Sequence, residues 1–123
     1  MAKTKSIMAN STKPKIVCLI GSCRFSREFQ RAAYELELEG VITVGPAFVP
    51  DVPADQHGGD VAITPEQKTR VDELFQHKIG MADEVLVINK GGYVGESTLR
   101  DLACARTLGK PLRWLEPPAE IPV

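Results

Sequence analysis

The sequence contains few of the side chains that tie small secreted or metal-dependent domains together. Its three cysteines are Cys18, Cys23 and Cys104, and no two of them have the CxxC spacing of a zinc ribbon. Thiols so few and so scattered exclude a disulfide framework and indicate a reduced, cytoplasmic setting. His57 and His77 are the only histidines, and neither has a carboxylate at ligand spacing. We therefore predict no metal site and no other cofactor.

Long apolar runs and a strong charge of one sign are also missing. The longest apolar runs, at residues 16–21 and 85–88, are far too short to cross a bilayer. Residues 1–15 lack the apolar stretch of a signal peptide, so we expect neither export nor a membrane partner. The net charge is −1, from 15 basic and 16 acidic residues. Such a balance provides no overall field to attract nucleic acid, which excludes it as the expected partner.

The length of 123 residues allows one compact domain. Apolar residues make up 43% of the chain and charged residues 25%, the proportions of an ordinary globular protein. The polar, basic residues 1–14 are expected to form a flexible N-terminal arm, and residues 15–123 to form the domain.

Four apolar segments alternate with three segments of helical periodicity. The run at residues 16–20 is apolar at every position, which is typical of a strand buried on both faces of a sheet. Further strands are predicted at 41–44, 84–89 and 111–115, and helices at 25–39, 64–82 and 96–108. This alternation predicts an α/β fold in one domain, with three α/β/α layers around a four- or five-stranded parallel sheet, Rossmann-like or flavodoxin-like.

Helix ends and buried helix faces are predicted by the same pattern. Thr64, Pro65 and Gln67 form a capping-box start, and Gly40 and Gly109 are expected C-terminal caps. Apolar residues at helical spacing predict the faces that pack on the sheet. These are Phe25, Phe29, Ala32, Ala33 and Leu36 in the first helix, Val71, Leu74, Phe75, Ile79 and Ala82 in the second, and Leu99, Leu102 and Ala103, on the same side as Arg106, in the third.

Ligands of open parallel sheets bind beyond the carboxyl ends of the strands, and the first strand ends in a candidate anion site. Gly21 permits close backbone approach, Ser22 supplies a hydroxyl, Cys23 lines the turn, and Arg24 supplies a planar donor for phosphate or carboxylate. The alternative is a tight turn with Ser22 as a simple N-cap and Arg24 in solvent. The chain lacks the full glycine signatures of dinucleotide-binding and P-loop proteins.

A second candidate segment follows the second strand. Residues 46–64 are rich in proline and glycine and show neither helical nor strand periodicity. A loop of this length in a small domain is usually functional or mobile. Asp51, Asp55, His57 and Asp60 lie in it and are candidates for acid–base work.

The third candidate segment, residues 89–98, combines a glycine-rich turn with a carboxylate. Glu96 is predicted at the start of a helix, where the macrodipole favours its ionised form. An ionised carboxylate there can attack an electron-poor sugar carbon. The alternative is that Glu96 only completes the electrostatics of the first helical turn.

These motifs resemble a known superfamily. Residues 21–24 resemble the glycine-serine-x-arginine turn of 2′-deoxynucleoside 5′-phosphate N-hydrolases. Residues 81–88, the pair Gly95-Glu96 and residues 103–111 are similar to the nucleoside 2-deoxyribosyltransferases. There an alanine-aspartate strand is followed by a glycine-rich turn, a glutamate on a helix and an LGKP exit. The resemblance covers roughly residues 15–116 in the same element order.

The resemblance implies cleavage or transfer of the N-glycosidic bond of a nucleoside or nucleotide. Glu96 would be the nucleophile and form a glycosyl-enzyme intermediate that water or a second base resolves. The residues expected to bind substrate are Gly21, Ser22, Cys23, Arg24, Asn89, Gly92, Tyr93 and Ser97. Ser22 and Arg24 would hold a 5′-phosphate or sugar hydroxyls, and Tyr93 would contact base or sugar. Relatives complete their pockets across subunits, so a homodimer or higher homo-oligomer is expected.

The chain departs from the family pattern in its acids. Phe75 and Lys90 occupy the positions where the family places its two aspartates, and Asp72 and His77 lie near the first of them. Two rival functions therefore stay open. One is a non-catalytic nucleotide-binding or sensor module of the same fold. The other is a phosphoribohydrolase of the cytokinin-activating type, whose glycine-rich turn residues 91–96 loosely resemble.

Overall fold

A computed structural model describes residues 13–48 and 63–118. Its strands and helices are β1 (Ile16–Gly21), α1 (Ser26–Leu38), β2 (Ile42–Val44), α2 (Pro65–Met81), β3 (Glu84–Ile88), α3 (Glu96–Thr107) and β4 (Leu112–Trp114). Short 3-10 turns, Cys23–Phe25 and Lys90–Gly92, follow β1 and β3. The predicted arm, apart from its last residues, lies outside the described residues. So do the loop candidates Asp51, Asp55, His57 and Asp60.

The strands form one all-parallel sheet in the order β2-β1-β3-β4, which confirms the α/β prediction and its four-stranded form. From β1 the chain moves outward to β2, and it then crosses back to place β3 on the other side of β1. The order therefore reverses between β1 and β3, and Gly21 at the end of β1 pairs with Ile88 at the end of β3. In open sheets such a reversal point is where ligands bind.

Side chains alternate between the two faces of the sheet and build a core on each. On one face, Val17, Leu19, Leu86 and Ile88 pack against α1, whose buried residues are Phe29, Ala32 and Leu36. On the other, Cys18, Ile20, Val85 and Val87 pack against α2 and α3, through Ile79, Ala82, Leu102 and Ala105. Helices thus cover both faces, as the three-layer prediction requires.

The helix ends follow the sequence signals. The Thr64 Oγ1 accepts a hydrogen bond from the Gln67 backbone N–H at 3.1 Å, and the Gln67 Oε1 accepts one from the Thr64 N–H at 2.9 Å. Gly40 and Gly109 take φ values of 89° and 70° after α1 and α3, in the left-handed region that glycine tolerates best. The capping predictions are confirmed.

Of the residues predicted on one side of α3, Leu102 is buried as expected, whereas Leu99, Ala103 and Arg106 are exposed. The residues that face the core are Thr98, Leu102 and Ala105, whereas Leu99 is 38% exposed and Ala103 lies on the surface. Small side chains at 98 and 105 let the helix axis come close to the sheet. Close approach, rather than apolarity alone, therefore decides which side of α3 is buried.

Helix α2 is longer than the strands it covers. Its 17 residues span about 25 Å, whereas the five residues of β3 span about 17 Å. Val71 and Leu74, predicted to be buried, are 59% and 54% exposed, whereas Ile79 is fully buried. Within the two described ranges, no helix combines the length and apolarity needed to cross a membrane.

Charged side chains form ion pairs and hydrogen bonds at the amino edge of the sheet, where the strands begin. Glu84 at the start of β3 is nearly buried and pairs with the Lys15 Nζ and the Arg113 guanidinium, each at 3.2 Å. The Asp83 carboxylate accepts a hydrogen bond from the Ile16 backbone N–H at 2.9 Å. These contacts link β1, β3 and β4 at the amino edge of the sheet.

We expect Gly21→Ala to lower the free energy of unfolding by about 2–4 kcal/mol. A Cβ at this position would lie 2.6 Å from the Ile88 carbonyl oxygen and 3.3 Å from Phe29, at a φ of 154°. Gly80→Ala is the matched control, since nothing lies within 4 Å of its Cβ position inside α2. It should raise stability by up to about 1 kcal/mol. Urea unfolding measures both, and an unchanged Gly21→Ala stability would contradict the close approach.

Candidate functional site

Two loops meet where β1 and β3 end: the β1 turn (residues 21–25) and the β3 turn (residues 89–95). The Arg24 guanidinium lies over the Tyr93 ring, 4.3 Å from its centroid. The Phe25 ring meets Tyr93 edge-on at 6.0 Å. Lys90 of the β3 turn also approaches Glu28 of α1, with Nζ and Oε2 3.9 Å apart. The two turns therefore form one continuous surface at the reversal point of the sheet.

Ser22 caps the 3-10 turn that follows β1. Its side chain is buried, and its Oγ accepts a hydrogen bond from the Arg24 backbone N–H at 3.3 Å. The N-cap interpretation of Ser22 is therefore confirmed. Arg24 is exposed, and its guanidinium is stacked on the Tyr93 ring at the edge of the site.

Cys23, the first residue of the 3-10 turn after β1, is half-buried. Burial, and next the charge of Asp101, raise the pKa of its thiol. A thiol with a raised pKa stays neutral at physiological pH and is a poor nucleophile. Cys23 thus lines the site as a small neutral group.

Asn89 is fully buried directly after β3. Its Nδ2 donates to the Glu116 carbonyl oxygen and its Oδ1 accepts from the Glu116 N–H, both at 2.9 Å. These two hydrogen bonds therefore hold the chain after β4 against the end of β3. Its expected contact with substrate stays a prediction.

Glycine is favoured at positions 92 and 95 of the β3 turn for different reasons. Gly92 has a φ of 81° and no atom within 4 Å of its Cβ position, so conformation rather than space calls for glycine there. Gly95, the N-cap of α3, would place a Cβ 3.0 Å from the Tyr93 hydroxyl. Tyr93 therefore packs tightly against the start of α3 while its other side holds Arg24.

Glu96 and Ser97 occupy the first turn of α3, and both are exposed. The N-cap Gly95 offers no side-chain acceptor, so the first backbone N–H groups of α3 lack a side-chain cap. Glu96 is the acidic residue of that turn, where the helix dipole favours its anion. This position agrees with both interpretations of Glu96: that it is a nucleophile, and that its charge only stabilises the first turn of the helix.

Two cavities bounded by described residues lie away from Glu96. One, of about 140 Å³, opens beside the end of β2 and is lined by Leu19, Phe29, Val44, Pro46 and Phe48 among others. The other lies between the C-terminal halves of α2 and α3, and His77 and Cys104 line it. Because α2 runs antiparallel to the strands, His77 lies toward the amino edge, far from the two turns.

Of the two positions that depart from the family pattern, neither offers an acid. Phe75 is half-buried and packs against the core on the α2 side of the sheet. Lys90 faces Glu28. Asp72, one turn before Phe75, is exposed and pairs with Lys68 at 3.0 Å. Among residues 13–48 and 63–118, no three His, Cys, Asp or Glu side chains are grouped as a metal site would require.

Sequence reasoning missed two polar groups on the buried side of α3. Thr98 is 1% exposed, and its Oγ1 has no hydrogen-bond partner among the described residues. Asp101 lies three residues further, on the same side of the helix, and is partly buried. The sequence does contain a signal for them, because Thr98 and Asp101 are polar residues at (i, i+3) spacing just before the buried Leu102. A search for apolar periodicity does not detect such a pair.

Asp101 has an unusual electrostatic setting. Burial, and next the nearby Asp72 carboxylate, raise the pKa of its carboxyl to about 6, while Arg100 acts in the opposite direction. Its charge in turn helps to raise the pKa values of the Cys18 and Cys23 thiols. No ion pair within the described part of the chain includes Asp101.

Comparison with known proteins adds no relative. No family model matches the chain, and a search of curated proteins finds no match.

Thr98→Val should raise the free energy of unfolding by about 1 kcal/mol, because valine has the same shape and removes a buried hydroxyl that lacks a partner. Thr107→Val is the matched control at an exposed position of the same helix, and its effect should stay within about 0.5 kcal/mol. Denaturant unfolding of the two variants measures the difference. A clear loss of stability in Thr98→Val would mean that the hydroxyl is satisfied inside the fold.

Asp101→Asn should change the pH dependence of stability. The folded-state pKa of about 6 exceeds the ordinary value of 3.8, so folding favours the protonated acid. This contribution is fully present below pH 4 and is lost as the pH rises through 6. The asparagine variant should therefore gain on wild type by roughly 1 kcal/mol between pH 4 and pH 7.5, a figure reduced for partial solvation of the carboxyl.

Urea unfolding at the two pH values measures this gain. Glu73→Gln, an exposed carboxylate on α2, is the control and should keep the wild-type pH dependence. Equal pH dependence in Asp101→Asn and wild type would contradict the raised pKa.

Proposed function

We propose that this protein cleaves or transfers the N-glycosidic bond of a nucleoside or nucleotide, with Glu96 as the nucleophile. The observation that carries the proposal is the joining of the β1 and β3 turns through Arg24 and Tyr93 at the reversal point of the sheet. This contact brings a fixed cation beside the helix start that bears Glu96. A sugar bound between them would have an anion site at one end and a carboxylate at its reacting carbon.

Arg24 supports recognition of an anionic or hydroxyl-rich substrate. Its stacking on Tyr93 occupies the face of the guanidinium, and the N–H groups along its edge stay available in the plane. A guanidinium held in this way loses little freedom when it binds a 5′-phosphate or the sugar hydroxyls. The geometry thus favours a small nucleoside or nucleotide over nucleic acid.

Glu96 supports a covalent route. The N-terminal dipole of α3 stabilises its anion, which is the nucleophilic form. Attack on the anomeric carbon would form a glycosyl ester and release the base. Water or a second base would then resolve the ester, and the choice between them separates a hydrolase from a transferase.

Assembly into homo-oligomers belongs to the same proposal. Val71 and Leu74 on α2 and Leu99 on α3 are large apolar side chains left 38–59% exposed. A neighbouring copy would bury them and add a wall to the carboxyl edge. The free thiols Cys18, Cys23 and Cys104 suit a reducing, cytoplasmic compartment.

Base release from deoxynucleosides and their 5′-monophosphates tests the reaction. Glu96→Gln should lower kcat by about 10³-fold or more, because an amide cannot form the glycosyl ester. Glu66→Gln is the matched control, since Glu66 is the exposed first-turn glutamate of α2, and it should keep wild-type activity. Release of base by Glu96→Gln at the wild-type rate would overturn the assignment. Release from ribonucleotides only would favour the phosphoribohydrolase type.

A non-catalytic nucleotide-binding module is the second candidate. The exposure of Glu96 and the lack of a carboxyl at Phe75 and Lys90 favour it. Calorimetry distinguishes it from the enzyme: tight binding of a nucleotide with no base released over hours would support the module.

A further inference from the structure

The cavity beside the end of β2 is separate from the site of the proposed reaction. Glu28 of α1 faces Lys90 of the β3 turn, whereas Gln30, two residues later, lines the cavity. Two residues turn a helix by about 200°, so the cavity lies on the β2 side of α1 and the two turns lie on its β3 side. What binds in this cavity is therefore independent of Glu96 and of the reaction proposed for it.

The surface of the cavity is mostly apolar. Side chains from β1, from α1 and from the segment after β2 form it: Leu19, Phe29, Ala33, Pro46 and Phe48. None of the described residues that line it is charged. A charged ligand would lose its hydration there without gaining an ion pair, so the cavity selects uncharged molecules.

The polar side chains at the cavity are those of Thr43 and Gln30. The Thr43 hydroxyl already donates a hydrogen bond to the Glu37 carboxylate at 2.8 Å. Gln30 is exposed, and its amide can both donate to and accept from a ligand at the mouth of the cavity. The lining therefore suits an apolar body that carries at most one polar group.

The wall formed by residues 45–48 is held in place at both ends. The Lys78 Nζ donates to the Gly45 carbonyl oxygen at 2.7 Å, from a helix on the other face of the sheet. At the other end the Phe48 ring meets Phe29 edge-on, with the ring centroids 5.4 Å apart. Phe29 is itself 3% exposed within the α1 core. The wall would move inward only by breaking one of these contacts, so the cavity is preformed.

The volume of the cavity suits one six-membered ring. Close-packed interiors contain few voids larger than a water molecule, so a space of about 140 Å³ is large for a small domain. An engineered apolar cavity of about 150 Å³ in another protein binds benzene. Phe29 and Phe48 already stand edge to face, and a third ring can pack against them in the same geometry.

We propose that this cavity binds a small, uncharged aromatic molecule with a single ring. The ring lies over Leu19 and against Phe29 and Phe48, where Ala33 leaves room because its side chain is a single methyl group. A hydroxyl or amide on the molecule points to the Gln30 amide at the mouth. A nucleotide is not the ligand of this cavity, since none of the described lining residues is a cation that could bind its phosphate.

Titration of the full chain with benzyl alcohol, followed by backbone amide chemical shifts, tests the proposal. The shifts should saturate with a Kd of about 0.1–1 mM, an affinity within reach of so small a ligand. They should be largest at Phe29, Ala33 and Gly45. Benzoate is the matched probe, because it has nearly the same size but carries a charge, and it should bind at least about tenfold more weakly.

Two results of this titration would overturn the proposal. One is that benzoate binds as tightly as benzyl alcohol. The other is that wild type shows no saturable shifts at the cavity, as expected if another part of the chain fills it. Neither result bears on base release, so the proposed function is tested separately.

Ala33→Leu should fill the cavity, because leucine adds an isopropyl group to the α1 wall. The Kd for benzyl alcohol should rise by about tenfold or more. Ala103→Leu is the matched control, since it makes the same change at an exposed position of α3, and it should keep the wild-type Kd. An unchanged Kd in a folded Ala33→Leu variant would contradict the proposed site.

Phe48→Leu provides a second variant in case Ala33→Leu does not fold. It removes the ring from the wall but keeps an apolar side chain, and the Kd should rise by about threefold to tenfold. Phe75→Leu is its control, because Phe75 is also half-buried but packs on the other face of the sheet. Equal Kd values for Phe48→Leu and Phe75→Leu would overturn the aromatic contact.

Discussion

The close parallel pairing of β1 with β3 is the constraint on which the rest of the structure depends. The two strands share the longest register of the sheet, from Val17 opposite Glu84 to Gly21 opposite Ile88. At the last pair the backbones approach so closely that a single methyl group would meet the Ile88 carbonyl oxygen. Because the strands end together, the two turns emerge side by side and their side chains can meet.

Charges and apolar contacts divide the two edges of the sheet between stability and function. At the amino edge, Glu84 is neutralised from both sides, by Lys15 and Arg113. Elsewhere the charges are less fully paired: at the carboxyl edge Arg24 is stacked on a ring, and in the middle of α3 the pKa of Asp101 is raised by burial and by another acid, Asp72. Groups left in this state cost stability and are typical of places where a ligand completes the pairing.

The fold was predictable from the sequence because its signals are local and agree with one another. The apolar run of β1, the capping box at Thr64 and the glycines after α1 and α3 each specify one structure, and the structure has all of them. The Ser22 cap also agrees with an interpretation that the sequence offers.

Parts of the site were beyond the same reasoning. Apolar periodicity predicted that Leu99 is in the core, but Thr98 is buried there instead. The smaller side chain fits between the helix and the sheet, and the space between them cannot be read from a sequence. The raised pKa of Asp101 could not be predicted for a related reason. It arises from burial of the carboxyl in the folded chain and from Asp72, which lies on another helix. The fastening of Asn89 to Glu116 likewise joins residues 27 positions apart.

One consequence follows from the placement of Glu96 and Asp101 on the same continuous helix. Five residues rotate the helix by about 140°, so the exposed Glu96 and the partly buried Asp101 face different sides of α3. A molecule that touches Glu96 from solvent therefore approaches α3 on the side away from Asp101.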